Sequence, residues 1–211
     1  MTVDGRLVRG ERARAAALDA AVVLATESGL DGLSLSQLAD RLGVSKSGLF
    51  AHWRTKEELQ LAAVGHAQRR FSDVVIRPAL HEPRGLRRLW ALHDYRLRDI
   101  FSGALPGGCF FCNAQFEYVA RPGAVRDALT AALTDWHVLL ERLITEAIEL
   151  GELRADVDPA QLSFELNAHG TAAVYESRLL DSDEILTYAR TAALVRLRGL
   201  SPTPDLLPAG G

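Results

Sequence analysis

Apolar positions recur at three- and four-residue intervals along nearly the whole chain, and no stretch sustains the period-two alternation of a half-buried strand. The first helical pattern covers about Glu11–Ser28, with Ala17, Ala20, Ala21, Leu24 and Ala25 on one side and Gly29 as the stop. Leu35, Leu38, Ala39 and Leu42 share a face of a shorter helix, and Leu49, Phe50 and Trp53 a face of the next. A long helix is expected over about Lys56–Leu80, with Pro78 and Pro83 marking its end. Further patterns cover Arg84–Ser102, Cys109–Val119, Gly123–Leu150, Asp158–Leu180 and Ser182–Leu200. Gly103–Gly108 and Arg121–Gly123 read as breaks. The pattern predicts an all-α fold of about nine helices.

Residues 34–56 carry the most specific signal. Ser34 is placed to cap a helix, with Gln37 closing a capping box. Gly43 ends that helix, Val44 is placed to plug the turn, and Ser45 caps a recognition helix of about Lys46–Trp53. Small Ala39, Gly43 four residues on, Val44 next and Leu49 five beyond are at helix-turn-helix offsets. Thr55 and Glu58 form another capping box, and Asp158, Pro159 and Gln161 a third helix start.

The string GVSKSGLFAHWRTKEEL also resembles the DNA-binding signature of the TetR family of bacterial repressors, Gly-Val-Ser-x-x-x-Leu-Tyr-x-His-Phe-x-x-Lys-x-x-Leu. Gly43, Val44, Ser45, Leu49, His52, Lys56 and Leu59 match it. Phe50 stands where tyrosine is usual, and so lacks a hydroxyl that in the family often reaches a phosphate. Trp53 stands where phenylalanine is usual. The resemblance spans roughly residues 10–60 and implies a dimer that binds a palindromic operator and is released by a small molecule. The sequence Gly107-Gly108-Cys109-Phe110-Phe111 resembles a helix start found in one branch of these regulators.

Charge agrees with such a division of labour. Residues 1–70 hold ten Lys and Arg against eight Asp and Glu; the remainder hold fourteen against nineteen. Both lysines, Lys46 and Lys56, fall in the helix-turn-helix stretch. A basic reader of DNA joined to an acidic second part is the expected arrangement. The expected boundaries are a DNA-binding domain over 1–55, a ligand-binding and dimerisation domain over 56–200 and a flexible Pro/Gly-rich tail over 201–211. Arg6 and Arg9 lie on an N-terminal segment that reads either as a leader or as a groove-reaching arm.

On double-stranded DNA, Gln37, Ser45, Lys46, Ser47 and Gly48 are the candidates facing base edges. His52 and Lys56 are candidate phosphate clamps. Phe50 belongs to the DNA-binding set by its position in the signature, although it and Trp53 also suit a core. Gly48 weakens its short helix by about 1 kcal/mol relative to alanine, which suggests that a side chain there would obstruct the groove.

The last two helices are apolar or small around much of their circumference, as in Phe164, Leu166, Ala172, Ala173, Val174, Ile185, Ala189 and Ala193. Such helices need cover on more than one side, which a four-helix bundle across a two-fold axis supplies. Trp90, His93, Phe111, Gln115, Phe116, Trp136, Asn167, His169 and Tyr175 set polar tips among aromatic surface. They are the candidate lining of a site for a small-molecule effector, or the aromatic core of a bundle; the spacing of His93 with Leu86, Leu89 and Leu97 favours a core position.

Cys109 and Cys112, the only two cysteines, are spaced C-x-x-C. They read as small apolar residues one turn apart or, in an alternative reading, as a redox or metal sensor on the same fold. No Ser/His/Asp string, phosphate loop or HExxH pair is present, so no catalytic residue, metal site or cofactor is assigned. With no secretory leader pattern and no apolar run near the ~18 residues of a membrane span, a cytoplasmic protein without membrane partners is expected.

Overall fold

The computed structural model describes the backbone of residues 5–208 and the side chains of residues 10–208. The side chains of Arg6 and Arg9 lie outside the described residues, though the backbone is helical from Gly5. The elements in order are α1 Gly5–Ser28, α2 Leu35–Leu42, α3 Lys46–Phe50 and α4 Lys56–Phe71. A π-helical turn, Ser72–Ile76, joins α4 directly to α5 Arg77–His81. There follow α6 Leu86–Phe101, α7 Phe110–Tyr118, α8 Ala124–Glu149, α9 Pro159–Leu180 and α10 Glu184–Leu200, then a 3-10 turn at Pro204–Leu206. No strand occurs among the described residues. With α4, the π turn and α5 read as the single long helix expected, nine helices result.

Packing divides the chain into two compact units, and not by a single cut after residue 55. One unit holds the residues up to Arg69 together with Leu105–Thr130. The other holds Arg70–Ala104 and the residues from Ala131 onward.

The first unit has its own core. Leu18, Ala21 and Val22 of α1 meet Leu38 and Ala39 of α2, Leu49 of α3 and Leu59 and Val64 of α4. From α7, Phe110, Ala114 and Tyr118 complete it. The loop before α7 comes so close to α1 that a Cβ on Gly107 would lie 1.7 Å from the Thr26 carbonyl oxygen, which only glycine avoids. α7 is then tied to the loop after α1: the Leu30 and Asp31 amides donate to the Glu117 carboxylate at 2.7 and 3.0 Å. Gln60, buried on α4, donates to the Leu30 carbonyl at 2.8 Å and to the Tyr118 hydroxyl at 3.0 Å.

The second core is formed by Leu86, Leu89 and Leu92 of α6, Leu140, Leu143 and Ile144 of α8, Leu162 and Leu166 of α9, and Ala193 and Leu197 of α10. The C-terminal segment expected to be flexible is docked here as far as Pro208. Leu207 is buried in the core and Ser201 Oγ donates to the Glu152 carbonyl at 2.7 Å. Two leucines following Pro204 supply apolar surface that a tail of Pro and Gly alone would lack.

Candidate nucleic-acid interface and effector site

The α2–α3 turn follows from its sequence locally. The Ser34 hydroxyl caps α2, accepting from the Gln37 amide at 3.2 Å. Gly43 takes φ 65°, and its amide donates to the Asp40 carbonyl at 3.3 Å while the Val44 amide donates to that of Ala39 at 3.1 Å. These are the bonds of a left-handed C-terminal cap, which glycine adopts without a Cβ clash. Ser45 caps α3, accepting from the Gly48 amide at 3.4 Å. The capping boxes are half made. Gln37 Oε1 accepts from the Ser34 hydroxyl instead of the Ser34 amide, Glu58 accepts from the Arg54 amide at 2.6 Å, and Gln161 donates to Glu165.

Val44 does not plug the turn: it is half exposed, because the cap uses its backbone and turns its side chain outward. Leu49 and Trp53 hold α3 down instead, both buried in the first core. The recognition helix is shorter than expected, ending at Phe50, with the His52 amide closing a tight turn on the Leu49 carbonyl at 2.9 Å. Gly48 within so short a helix favours early fraying.

The DNA-binding candidates are left at the surface. Gln37, the run Val44–Gly48, Phe50, His52 and Lys56 are all exposed. Phe50 is not a core plug; it carries the Lys46 ammonium over its ring at 5.8 Å. Inside the protein a Cβ on Gly48 would meet only Ser45 Oγ, at an ordinary 3.6 Å. Lys56 is not a solitary clamp: its Nζ pairs with Asp31 at 3.3 Å, and Asp31 pairs with Arg121 at 2.7 Å. Hydrogen bonds from Arg121 and then Lys56 hold the Asp31 carboxyl below the usual carboxylate range.

The candidate effector residues separate. Phe111, Gln115 and Phe116 lie on α7 in the first unit, Phe111 stacked edge-on against Phe110 and Phe116 exposed. Tyr175 on α9 is exposed. The second unit gathers the other five on α6, α8 and α9. Trp90 and His93 lie 6.2 Å apart, His93 and His169 6.4 Å apart, and the Trp136 indole donates to Asn167 Oδ1 at 3.1 Å. Burial, then the nearby Arg96 charge and His169, push the His93 imidazole down to about 3, against a smaller opposing effect of a backbone hydrogen bond with Ala189. Burial also lowers His169.

Arg96, which the sequence reading passed over, is at the centre of this group. Its side chain is only 5% exposed, its Nη1 donates to Asn167 Oδ1 at 3.0 Å, and its guanidinium lies 5.2 Å over the Trp136 ring. In the run RLRD it looks like one of several solvated arginines; only the turn of α6 that buries Leu89, Trp90 and His93 shows otherwise. Cys109 stands at the position just before α7 and Cys112 lies one turn on, both buried, with no disulfide between them. Among the described residues no three or more His, Cys, Asp or Glu side chains are grouped to hold a metal ion, and no helix is long and apolar enough to cross a membrane.

A capped helix-turn-helix on an all-helical chain with a second helical unit defines a DNA-binding transcriptional regulator. Residues 17–63 match the model of bacterial regulatory proteins of the tetR family, and residues 85–193 that of the tetracyclin repressor-like C-terminal domain. The chain belongs to the TetR family. It is 30% identical over 172 residues to the HTH-type transcriptional regulator RutR of Escherichia coli O157:H7, covering 78% of this chain and 77% of that one. A TetR transcriptional regulator from Chloroflexus aurantiacus J-10-FL superposes with a TM-score of 0.81 at 25% identity, over 89% of this chain and 96% of that one. AibR, solved in complex with isovaleryl coenzyme A and operator DNA, shares the fold at 21% identity and a TM-score of 0.68, over 89% of this chain and 97% of that one. As a regulator of this family, the protein acts by binding DNA, not by catalysis.

Proposed function

We propose that the protein is a cytoplasmic repressor that binds a palindromic operator as a homodimer and leaves it when a small molecule occupies the second unit. The observation that carries the DNA half is Gly48. Nothing inside the protein requires glycine there, the residue is exposed, and it costs helix stability. A groove wall approaching α3 is a reason for it. Ser45, Lys46 and Ser47 flank it and would face base edges with Gln37, while His52 and Lys56 would meet phosphates. Lys56 would exchange part of its pairing with Asp31 for a phosphate.

The dimer rests on the surface of α9 and α10. Phe164, Tyr175, Leu179 and Leu180 of α9 and Tyr188 and Val195 of α10 are each about three-fifths exposed or more. So much apolar surface on two adjacent helices is a docking face, and a second copy covers it in kind. The effector would bind at Trp90, His93, Trp136, Asn167 and His169. Occupancy shifts the population of dimers toward a spacing of recognition helices that does not fit successive grooves. AibR, solved with both a small molecule and operator DNA, is a precedent for that pairing.

Titration of the full-length protein into an operator selected from random duplexes tests this reading. The expected result is one dimer per site, with affinity falling steeply as salt rises. A monomer bound per site, or equal affinity for unrelated duplex, would overturn it.

A further inference from the structure

Given, as proposed above, that Lys56 meets a DNA phosphate, its partners in the free protein set what that contact costs. Lys56 Nζ lies 3.3 Å from Asp31 Oδ1. A clamp already held by a carboxylate has to release it before it closes on DNA. Release leaves that carboxylate beside a duplex whose phosphates repel it. Unless a second cation holds Asp31, the gain at the phosphate is offset by the loss at the carboxylate.

Arg121, just after α7, is that second cation. Its Nη1 lies 2.7 Å from Asp31 Oδ2, closer than Lys56 on the other oxygen. The two cations take one oxygen each, so either can leave without breaking the other's bond. Of the hydrogen bonds that lower the Asp31 carboxyl, that from Arg121 is the larger. The backbone around the pair is fixed. The Asp31 amide donates to Glu117 at 3.0 Å, and the Arg121 amide donates to the Tyr118 carbonyl at 3.1 Å. The Arg121 guanidinium lies 5.6 Å over the ring of Tyr118, whose hydroxyl accepts from Gln60 of α4. Glu117, the other carboxylate here, is taken up by the Leu30 and Asp31 amides.

The loop after α1, the end of α7 and the first turns of α4 are thus tied together, while the three charged side chains stay open to water. Those of Lys56, Asp31 and Arg121 are 49%, 46% and 49% exposed. Exposed pairs are weak and exchange partners readily, which suits a clamp that has to let go. We infer that Arg121 is a positioning residue for DNA binding: it holds Asp31 when Lys56 passes from that carboxylate to a phosphate.

Phosphate contacts carry no sequence information, so a duplex of mixed sequence serves as the probe and no operator is needed. Affinity and its salt dependence are read by fluorescence anisotropy on the full-length protein. Arg121→Gln should bind about fivefold more weakly than the parent, the weight of a good surface ion pair. Arg121→Lys, which keeps the charge, should stay within about twofold. Asp31→Asn should bind more tightly than the parent. In that background Arg121→Gln should cost less than about twofold and leave the salt slope unchanged. A loss that persists with Asp31→Asn, with the salt slope lower by about one per subunit, would make Arg121 a phosphate contact itself and overturn the proposal. Arg121→Gln that binds like the parent would overturn it too, reducing the three charges to support for the fold. Lys56→Gln separates the two levels. If it binds like the parent, the phosphate contact of Lys56 falls and the role of Arg121 with it; if it binds more weakly while Arg121→Gln does not, only the role of Arg121 falls. Should Arg121→Gln fail to fold, Asp31→Asn still decides, because binding no tighter than the parent's would overturn the proposal.

Discussion

Glu117 accepts the backbone amide of Leu30 at 2.7 Å, across 86 intervening residues. The same carboxylate takes the Asp31 amide, so the last turn of α7 caps the loop between α1 and α2. Gly29 makes room for it with φ 85°; a Cβ there would lie 2.9 Å from Glu117 Oε1. Glu117→Ala leaves two amides without their acceptor and should cost about 1–3 kcal/mol. Glu117→Gln keeps an uncharged acceptor and should cost less. Urea unfolding of the two variants measures the difference.

Trp53 carries a local defect that its replacement should reveal. The indole sits in the first core, yet its Nε1 is buried without a hydrogen-bond partner. Trp53→Phe removes that N–H and keeps most of the ring, so stability should stay within about 1 kcal/mol of the parent or rise. Trp53→Ala opens a cavity under α3 and should cost about 3–5 kcal/mol. Thermal unfolding of both variants checks the order.

His93 makes stability depend on pH in a definite direction. Its value falls from an ordinary 6.5 to about 3 on folding. Above 6.5 the ring is neutral in both states and contributes no slope. As pH drops from 6.5 toward 3 the unfolded chain binds the proton first, so stability falls. His169, also lowered, adds to the loss in the same direction. His93→Leu should flatten part of the slope between pH 6.5 and 4, read from urea midpoints at each pH.

The apolar face of α9 and α10 gives a separate test. Leu179 and Val195 are 68% and 64% exposed in the single chain, so a charge at either position should leave the fold intact. Leu179→Glu with Val195→Glu should turn a dimer into a monomer in sedimentation equilibrium at unchanged helicity. A variant that remains dimeric would place the docking face elsewhere.

How much of this was readable beforehand depended on distance along the chain. Ser34, Gly43 and Ser45 act on neighbours within five residues, and the turn they build stands where their spacing put it. Most helix ends lie near their local stop signals for the same reason, although α1 starts at Gly5 and α3 stops at Phe50. Val44 looks buried as an apolar residue after a glycine cap, yet the cap uses only its backbone. Glu117 and Arg96 gave no signal, since each acquires its role from partners more than seventy residues away. Charged side chains in amphipathic helices read as solvated until a packed neighbour shows which face they share. Residue type alone does not tell that Phe111, Gln115 and Phe116 belong to the first unit.

Binding-site selection from random duplex DNA, run in parallel on the parent, Lys46→Ala and Gly48→Leu, tests the central claim most directly. The account predicts that the parent enriches an inverted repeat with half-sites about one helical turn apart, or a multiple of it. Lys46→Ala should bind more weakly or with relaxed preference, and Gly48→Leu should fold but select nothing. A parent that enriches no sequence at moderate salt, or a Gly48→Leu variant that enriches the same repeat as the parent, would contradict it.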